Sequence, residues 1–346
     1  MPIKTIGRLL APAVATLRRL FQGAPSAEDD HRDNNRRYFS GMHQQERMLA
    51  DRPRMDFYHA AIERHIHPGD HVIDLGTGTG ILAAFASRRG AARVHALDHS
   101  DILNHARTLA AANQIERVDF VSCHSTTFTL SAPVDVLLHE QMGDFLFDEA
   151  MIPNICDLRD RLLKPGGRIL PSCFEFYCEP VQLNTARHVP FIWNLKVKGY
   201  DFSSLEHARP QETGYYHLCG NDGALIDHFL STPEPALVFD LHTVNETELS
   251  HDLRFQRQVN NPGRIDGLAV YFRTTVDDDL QLSSAPHDLG RAPHWGFRIL
   301  RTEPADYAKG DVIEVQLDVK RWHDLDTWRW CHALAKQVKT GDESQV

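Results

Sequence analysis

The chain has 346 residues, 42% hydrophobic and 24% charged, the balance of a soluble globular protein long enough for two cores. A formal net charge of -10 argues against general nucleic-acid binding, which needs a basic face, and it is compatible with a cationic substrate. Six cysteines without a CxxC pair or regular spacing predict reduced thiols in a cytoplasmic protein, and no run approaches the ~20 apolar residues of a membrane span.

The first 26 residues, MPIKTIGRLLAPAVATLRRLFQGAPS, carry Lys4, Arg8, Arg18 and Arg19 and no acid. Ile3, Ile6, Leu9, Leu10, Val14, Leu17 and Phe21 fall on one helical stripe with a kink expected at Pro12. The apolar run ends at Arg18-Arg19 without a small-residue cleavage site, which argues against a secretory signal. Such a basic amphipathic helix over residues 1–22 lies on an acidic membrane surface, packs on a partner, or is a frayed terminal helix on its own protein. GAPSAEDDHRDNN reads as a polar linker and closes an N-terminal segment of residues 1–36.

From about residue 45 helices alternate with buried strands. MDFYHAAIERHI reads as a helix, HVIDLG as a strand, TGILAAFASRRG as a helix closed by Gly90, and ARVHALD as a second strand. ILNHARTLAAANQ follows as a helix, then VDFVSC and VDVLLH as strands. This alternation predicts a doubly wound, Rossmann-like parallel sheet over residues 37–171. After LKPGGRILPS the pattern changes to short strands separated by turn residues: FEFYCEPVQL, ALVFDLHTV, GLAVYFRTTV, LQLSSAP, WGFRILR and VIEVQLDV. They predict an antiparallel barrel or sandwich over residues 172–346, and IWNLKVKGYDFSSLEHA predicts a helical insertion over about 186–230.

HVIDLGTGTG puts Gly76, Gly78 and Gly80 at a turn from strand into helix, where glycine lets backbone approach a ligand closely. Asp98, ending the second strand, is placed to accept both hydroxyls of a ribose. A dinucleotide and S-adenosylmethionine compete for this arrangement. The dinucleotide fingerprint is Gly-x-Gly-x-x-Gly, and here the third glycine comes one position early. Asp74, two residues before the first glycine, also fits the methyl donor, so S-adenosylmethionine is the expected cofactor. His65, His67 and His71 match no zinc spacing, and no metal is expected.

HEQMGDFLFDEAM sets Glu140 and Glu149 on either side of Met142, Gly143, Phe145, Leu146 and Phe147. With YFSGMHQQERMLADRPRMDFY, VIDLGTGTGILAAFASRRGA and APHWGFRIL, this block resembles the protein arginine methyltransferase family, in the family's order, over roughly residues 38–335. The resemblance implies a nucleotide-binding domain, a β-barrel with an inserted dimerisation arm that FIWNLKVKGYDFS resembles, and a homodimer. It also implies that Glu140 and Glu149 clamp a guanidinium, whose planar fork two carboxylates hold through paired N–H···O bonds. That clamp draws positive charge toward the held nitrogens and leaves electron density on the nitrogen to be methylated.

By the same resemblance His294 is the barrel histidine beside Trp295, and Asp51 is its carboxylate partner in a proton relay. Arg54 matches the position binding the cofactor's carboxylate, Tyr38 a residue covering the cofactor, and Met48 and Trp295 the acceptor pocket. Some positions depart from the family pattern. Gln141 stands where a tryptophan is usual, and Ser125 and Thr126 stand where a glutamate receives the adenine amino group. The leading expectation is methylation of arginine in a protein or peptide. Its alternatives are methylation of free arginine or another small guanidino compound, and a non-catalytic dimeric scaffold.

Overall fold

The computed structural model describes residues 40–335, so Tyr38 and the segment of residues 1–36, with its expected membrane contact, lie outside the described residues. No described helix is long and apolar enough to cross a membrane. Two helices lead in, α1 (Met42–Ala50) and α2 (Arg52–His65), separated by Asp51. The Asp51 carboxylate accepts the Arg54 amide at 3.0 Å and caps α2, whose first turn holds Pro53.

Five parallel strands follow: β1 (His71–Leu75), β2 (Arg93–Asp98), β3 (Val118–Ser122), β4 (Val134–His139) and β5 (Leu163–Leu170). Their order is β3-β2-β1-β4-β5, so the winding reverses between β1 and β4. The helices α3 (Ile81–Arg89), α4 (Leu103–Ala112) and α5 (Met151–Leu162) alternate with the strands. Val72, Ile73, Val94, Leu97, Val136 and Leu138 are buried, which explains why these strands read as near-continuous apolar runs. A reversal of winding opens a crevice at the strands' carboxyl ends, and the site lies there.

The chain then turns antiparallel, with β6 (Cys173–Leu183), a two-residue hairpin of β7 (Lys196–Val197) and β8 (Tyr200–Asp201), β9 (His217–Gly220), β10 (Ile226–Phe229) and β11 (Leu237–Asp240). It ends with β12 (Asp252–Gln258), β13 (Gly263–Thr275), β14 (Gln281–Ser283), β15 (Phe297–Tyr307), β16 (Val312–Val319) and β17 (Trp328–Leu334). The larger sheet runs β10-β6-β13-β15-β9, with β11 on β6 and β14 on β13; the smaller is β12-β16-β17. A buried ion pair joins the two sheets. Arg257 of β12 sends Nε to both oxygens of Glu179 on β6 at 3.0 Å, and their side chains are 4% and 0% exposed. Charge at Arg254 and Arg257 hides β12 from a search for apolar alternation, although it pairs along its whole length with β16.

The expected helical insertion contains no α-helix. Residues 192–194, 203–208 and 213–216 form 3-10 turns around the hairpin, and β9 and β10 belong to the large sheet. Pro190, Gly199, Pro210 and Gly214 interrupt this stretch too often for a helix to propagate. Aromatic residues anchor its base: Phe191 and Trp193 stack at 4.7 Å, and Arg301 lies over the Phe191 ring at 3.9 Å.

Candidate active site

At the end of β1 the amides of Gly76 and Thr77 both donate to Leu97 O of β2 at 2.9 Å, which turns the chain sharply over the sheet. Gly78 has φ +55, and a Cβ there would come within 2.9 Å of Gln45 Oε1 from α1. Gly76, Gly78, Asp98, Ser125, Thr126 and Met48 line a cavity of about 350 Å³ at this point. Asp98 Oδ2 accepts the Gly78 amide at 3.1 Å and Oδ1 the Ser100 amide at 2.8 Å, so each oxygen keeps a lone pair for a hydroxyl.

Two expected cofactor residues serve the turn instead. Asp74 does not line the cavity: its buried Oδ2 accepts Thr77 Oγ1 at 2.6 Å and Ala83 N at 3.1 Å, tying β1 to α3. Burial lifts this carboxyl to about 7. Gly80 is likewise absent from the lining; a Cβ there would meet the Phe120 ring at 2.9 Å, so the glycine lets α3 pack on β3. At the far end Ser125 and Thr126 sit beside His124, whose Nδ1 pairs with Thr126 Oγ1 at 2.9 Å. His99 also lines this end, its ring 5.9 Å from that of His124.

Glu140 follows β4 directly, and Glu149 precedes α5 by one residue, so both carboxylates ride on ends of the parallel fold. The loop between them is apolar because it plugs into the barrel. Phe147 packs on Trp322 at 4.4 Å and on Phe176 at 5.5 Å, and Phe145 meets Trp328 edge-on at 5.6 Å. Glu140 and Glu149 both line the cofactor-side cavity. Burial and the nearby negative charge of Glu140 push the Glu149 carboxyl well above the usual range. Arg54 faces Glu140: Nε donates to its Oε1 at 3.0 Å and Nη1 to Met48 O at 3.0 Å, while Nη2 takes no partner among the described residues.

A second cavity, of about 600 Å³, lies on the barrel side and is lined by Asp144, Asp148, Cys219, His294, Trp295 and Arg298 among others. Burial and Asp144 lift the Asp148 carboxyl to about 7. Among the described residues, Glu149 and His323 alone line both cavities.

Three consecutive barrel residues reach across to the parallel domain. The His294 amide donates to Asp51 Oδ2 at 2.7 Å, the Trp295 indole to Met142 O, and the Gly296 amide to Asp144 Oδ1 at 2.8 Å. The expected imidazole–carboxylate pair of His294 and Asp51 is therefore corrected. Asp51 accepts the His294 amide on one oxygen and the α2-cap amide on the other, and buried His294 Nδ1 finds no partner among the described residues. Burial also lowers the His294 pKa, so the imidazole is not held near neutrality by a carboxylate. Trp295 is 1% exposed and acts as a wedge under the glutamate loop as well as a wall of the second cavity.

Sequence reasoning missed Gln45, His323 and Asp148. Gln45 lies in the opening block YFSGMHQQERMLADRPRMDFY, where no role was read for it, while His323 is one of 21 histidines and comes to the site from the far end of the chain. Asp148 had a usable signal, an acid directly before Glu149 in an otherwise apolar loop.

A family model described as ribosomal protein L11 methyltransferase matches residues 59–173, the parallel sheet and its helices. Protein arginine N-methyltransferase PRMT10 of Oryza sativa subsp. japonica is 30% identical over 313 residues, covering 82% of each chain. Protein arginine N-methyltransferase 6 of Xenopus laevis is 28% identical over 296 residues, covering 80% of this chain and 85% of its own. The solved structure of Arabidopsis thaliana protein arginine methyltransferase 10, described as uniquely open, superposes with a TM-score of 0.69 at 27% identity. It covers 81% of this chain and 88% of its own. The Trypanosoma brucei PRMT1 enzyme-prozyme heterotetramer with AdoHcy, at 24% identity and TM-score 0.70, shares the fold over 81% of this chain and 88% of its own. The chain belongs to the protein arginine N-methyltransferase family.

Proposed function

We propose that the protein transfers a methyl group from S-adenosylmethionine to a guanidino nitrogen of arginine in a protein or peptide. The observation that carries this reading is the convergence of Glu140 and Glu149 on one cavity beside the glycine turn. When bound, S-adenosylmethionine supplies an electrophilic methyl group on a sulfonium. The residues present fit it. Asp98 keeps acceptor capacity for ribose hydroxyls, the Gly78 backbone leaves room a side chain would fill, and Arg54 Nη2 is a cationic donor for a carboxylate.

A guanidinium entering from the second cavity meets Glu149, buried and short of a counter-charge, with Glu140 beyond it on the cofactor side. Holding the fork at two nitrogens would orient the third toward the donor methyl group. The acids Asp144, Asp148, Asp324 and Asp326 along the second cavity support a basic peptide as the acceptor. The hairpin of the insertion exposes Val197 at 46% and Tyr200 at 74%, which supports docking against a second copy as a homodimer. Six unpaired cysteines support a reducing, cytoplasmic setting.

The test is a transfer assay with methyl-labelled S-adenosylmethionine on an arginine-rich peptide, its lysine counterpart and free L-arginine, read by mass spectrometry. Label on the arginine peptide alone is the expected outcome. Label on free arginine alone, or on none of the three, overturns the reading.

A further inference from the structure

Methyl transfer happens where donor and acceptor meet, and only two described residues, Glu149 and His323, face both the cofactor-side and the barrel-side cavity. A guanidino nitrogen that bonds to the methyl carbon, as the C–S bond breaks and its electron pair stays on sulfur, carries one proton too many and must release it there. Glu149 is engaged in holding the guanidinium fork. Asp51 accepts the amides of Arg54 and His294 and lines neither cavity. His294 lines the barrel-side cavity alone.

His323 is held for the task. It stands on the turn between β16 and β17, half-buried, directly after Trp322, whose ring rests on Phe147 of the glutamate loop at 4.4 Å and on Trp328 at 5.4 Å. That packing ties the backbone before His323 to the same loop that carries Glu149. We propose that His323 is a catalytic residue that accepts the proton leaving the methylated nitrogen at the junction of the two cavities and passes it to solvent. One N–C bond forms, one C–S bond breaks, and one proton moves from the guanidino nitrogen to the imidazole. The inference rests on the methylation reading given above.

The experiment uses the full chain, an arginine-rich peptide and S-adenosylmethionine, with cofactor affinity measured separately by calorimetry. In His323→Gln, kcat falls about a hundredfold, the size expected for loss of an acid–base group, while peptide KM and cofactor Kd keep their wild-type values. In His323→Ala, added imidazole restores a concentration-dependent part of the lost rate. Wild-type kcat in His323→Gln overturns the inference. So does a slow His323→Ala that imidazole does not rescue although it binds cofactor normally. A wild-type chain that binds cofactor and methylates no guanidino acceptor overturns the methylation reading itself, and the inference with it, so the two failures are told apart in the unmutated protein.

Discussion

The two cavities that meet at Glu149 are built by different means. The cofactor side centres on backbone: a turn over β1, amides aimed at Leu97 O and Asp98, and a glycine at positive φ, with side chains of α1, α2 and residues 123–126 set around it. The acceptor side is side chains and charge gathered from α1, the glutamate loop, β9, the loop before β15 and the turn after β16. A site made of one turn is carried by a short word of sequence and fails locally when that word changes. A site gathered from side chains of separate elements depends on the barrel being seated, and its chemistry responds to protonation.

That contrast can be broken in three ways. The largest expected effect is in Glu149→Gln, which removes half of the clamp and should cut turnover by about a thousandfold while calorimetry finds cofactor affinity close to wild type. Turnover near wild type would show that the acceptor side does not depend on its buried charge. Next, Gly78→Ala forces an L-residue into φ +55 beside Gln45, a strain of about 1–2 kcal/mol, so cofactor affinity should fall about tenfold with peptide KM unchanged. An equal loss on both ligands would mean that the turn supports both cavities.

The smallest effect concerns pH. Asp148, raised to about 7 by burial and Asp144, keeps its proton in the folded protein at pH values where the unfolded chain has lost it. Its contribution to stability is full below the ordinary carboxylate range and is lost as pH rises through about 7. Asp148→Asn should therefore gain melting temperature relative to the wild type between pH 5 and pH 7.5, at roughly 2–4 °C per kcal/mol. A constant difference across that range would show that Asp148 is ionised at both ends.

The same contrast decides what could be read from the residues alone. The parallel strands and the glycine turn were legible because full burial makes strands apolar and a tight turn demands glycine. Glu140 and Glu149 were legible because two acids flanking apolar residues are unusual in a loop, and Phe145 and Phe147 turn out to be barrel core. The roles of Asp74 and Gly80 were misplaced, since a motif gives positions and not directions: one side chain ties the turn to α3 and the other position faces Phe120. The insertion was misread because a mixture of apolar and charged residues resembles an amphipathic helix until its prolines and glycines are weighed. β12 escaped because its interior arginine is satisfied by Glu179, a partner no local pattern reveals.

The crossing at residues 294–296 has one more consequence. Two of its three contacts are backbone amides on carboxylates, and the one between them is an indole on a carbonyl. A slip of one residue would carry the Trp295 indole away from Met142 O, so the middle contact fixes the alignment of the other two. The length of the loop from β14 to β15 is therefore under tighter constraint than its composition. Deleting one residue there would disturb the contacts to Asp51, Met142 and Asp144 together.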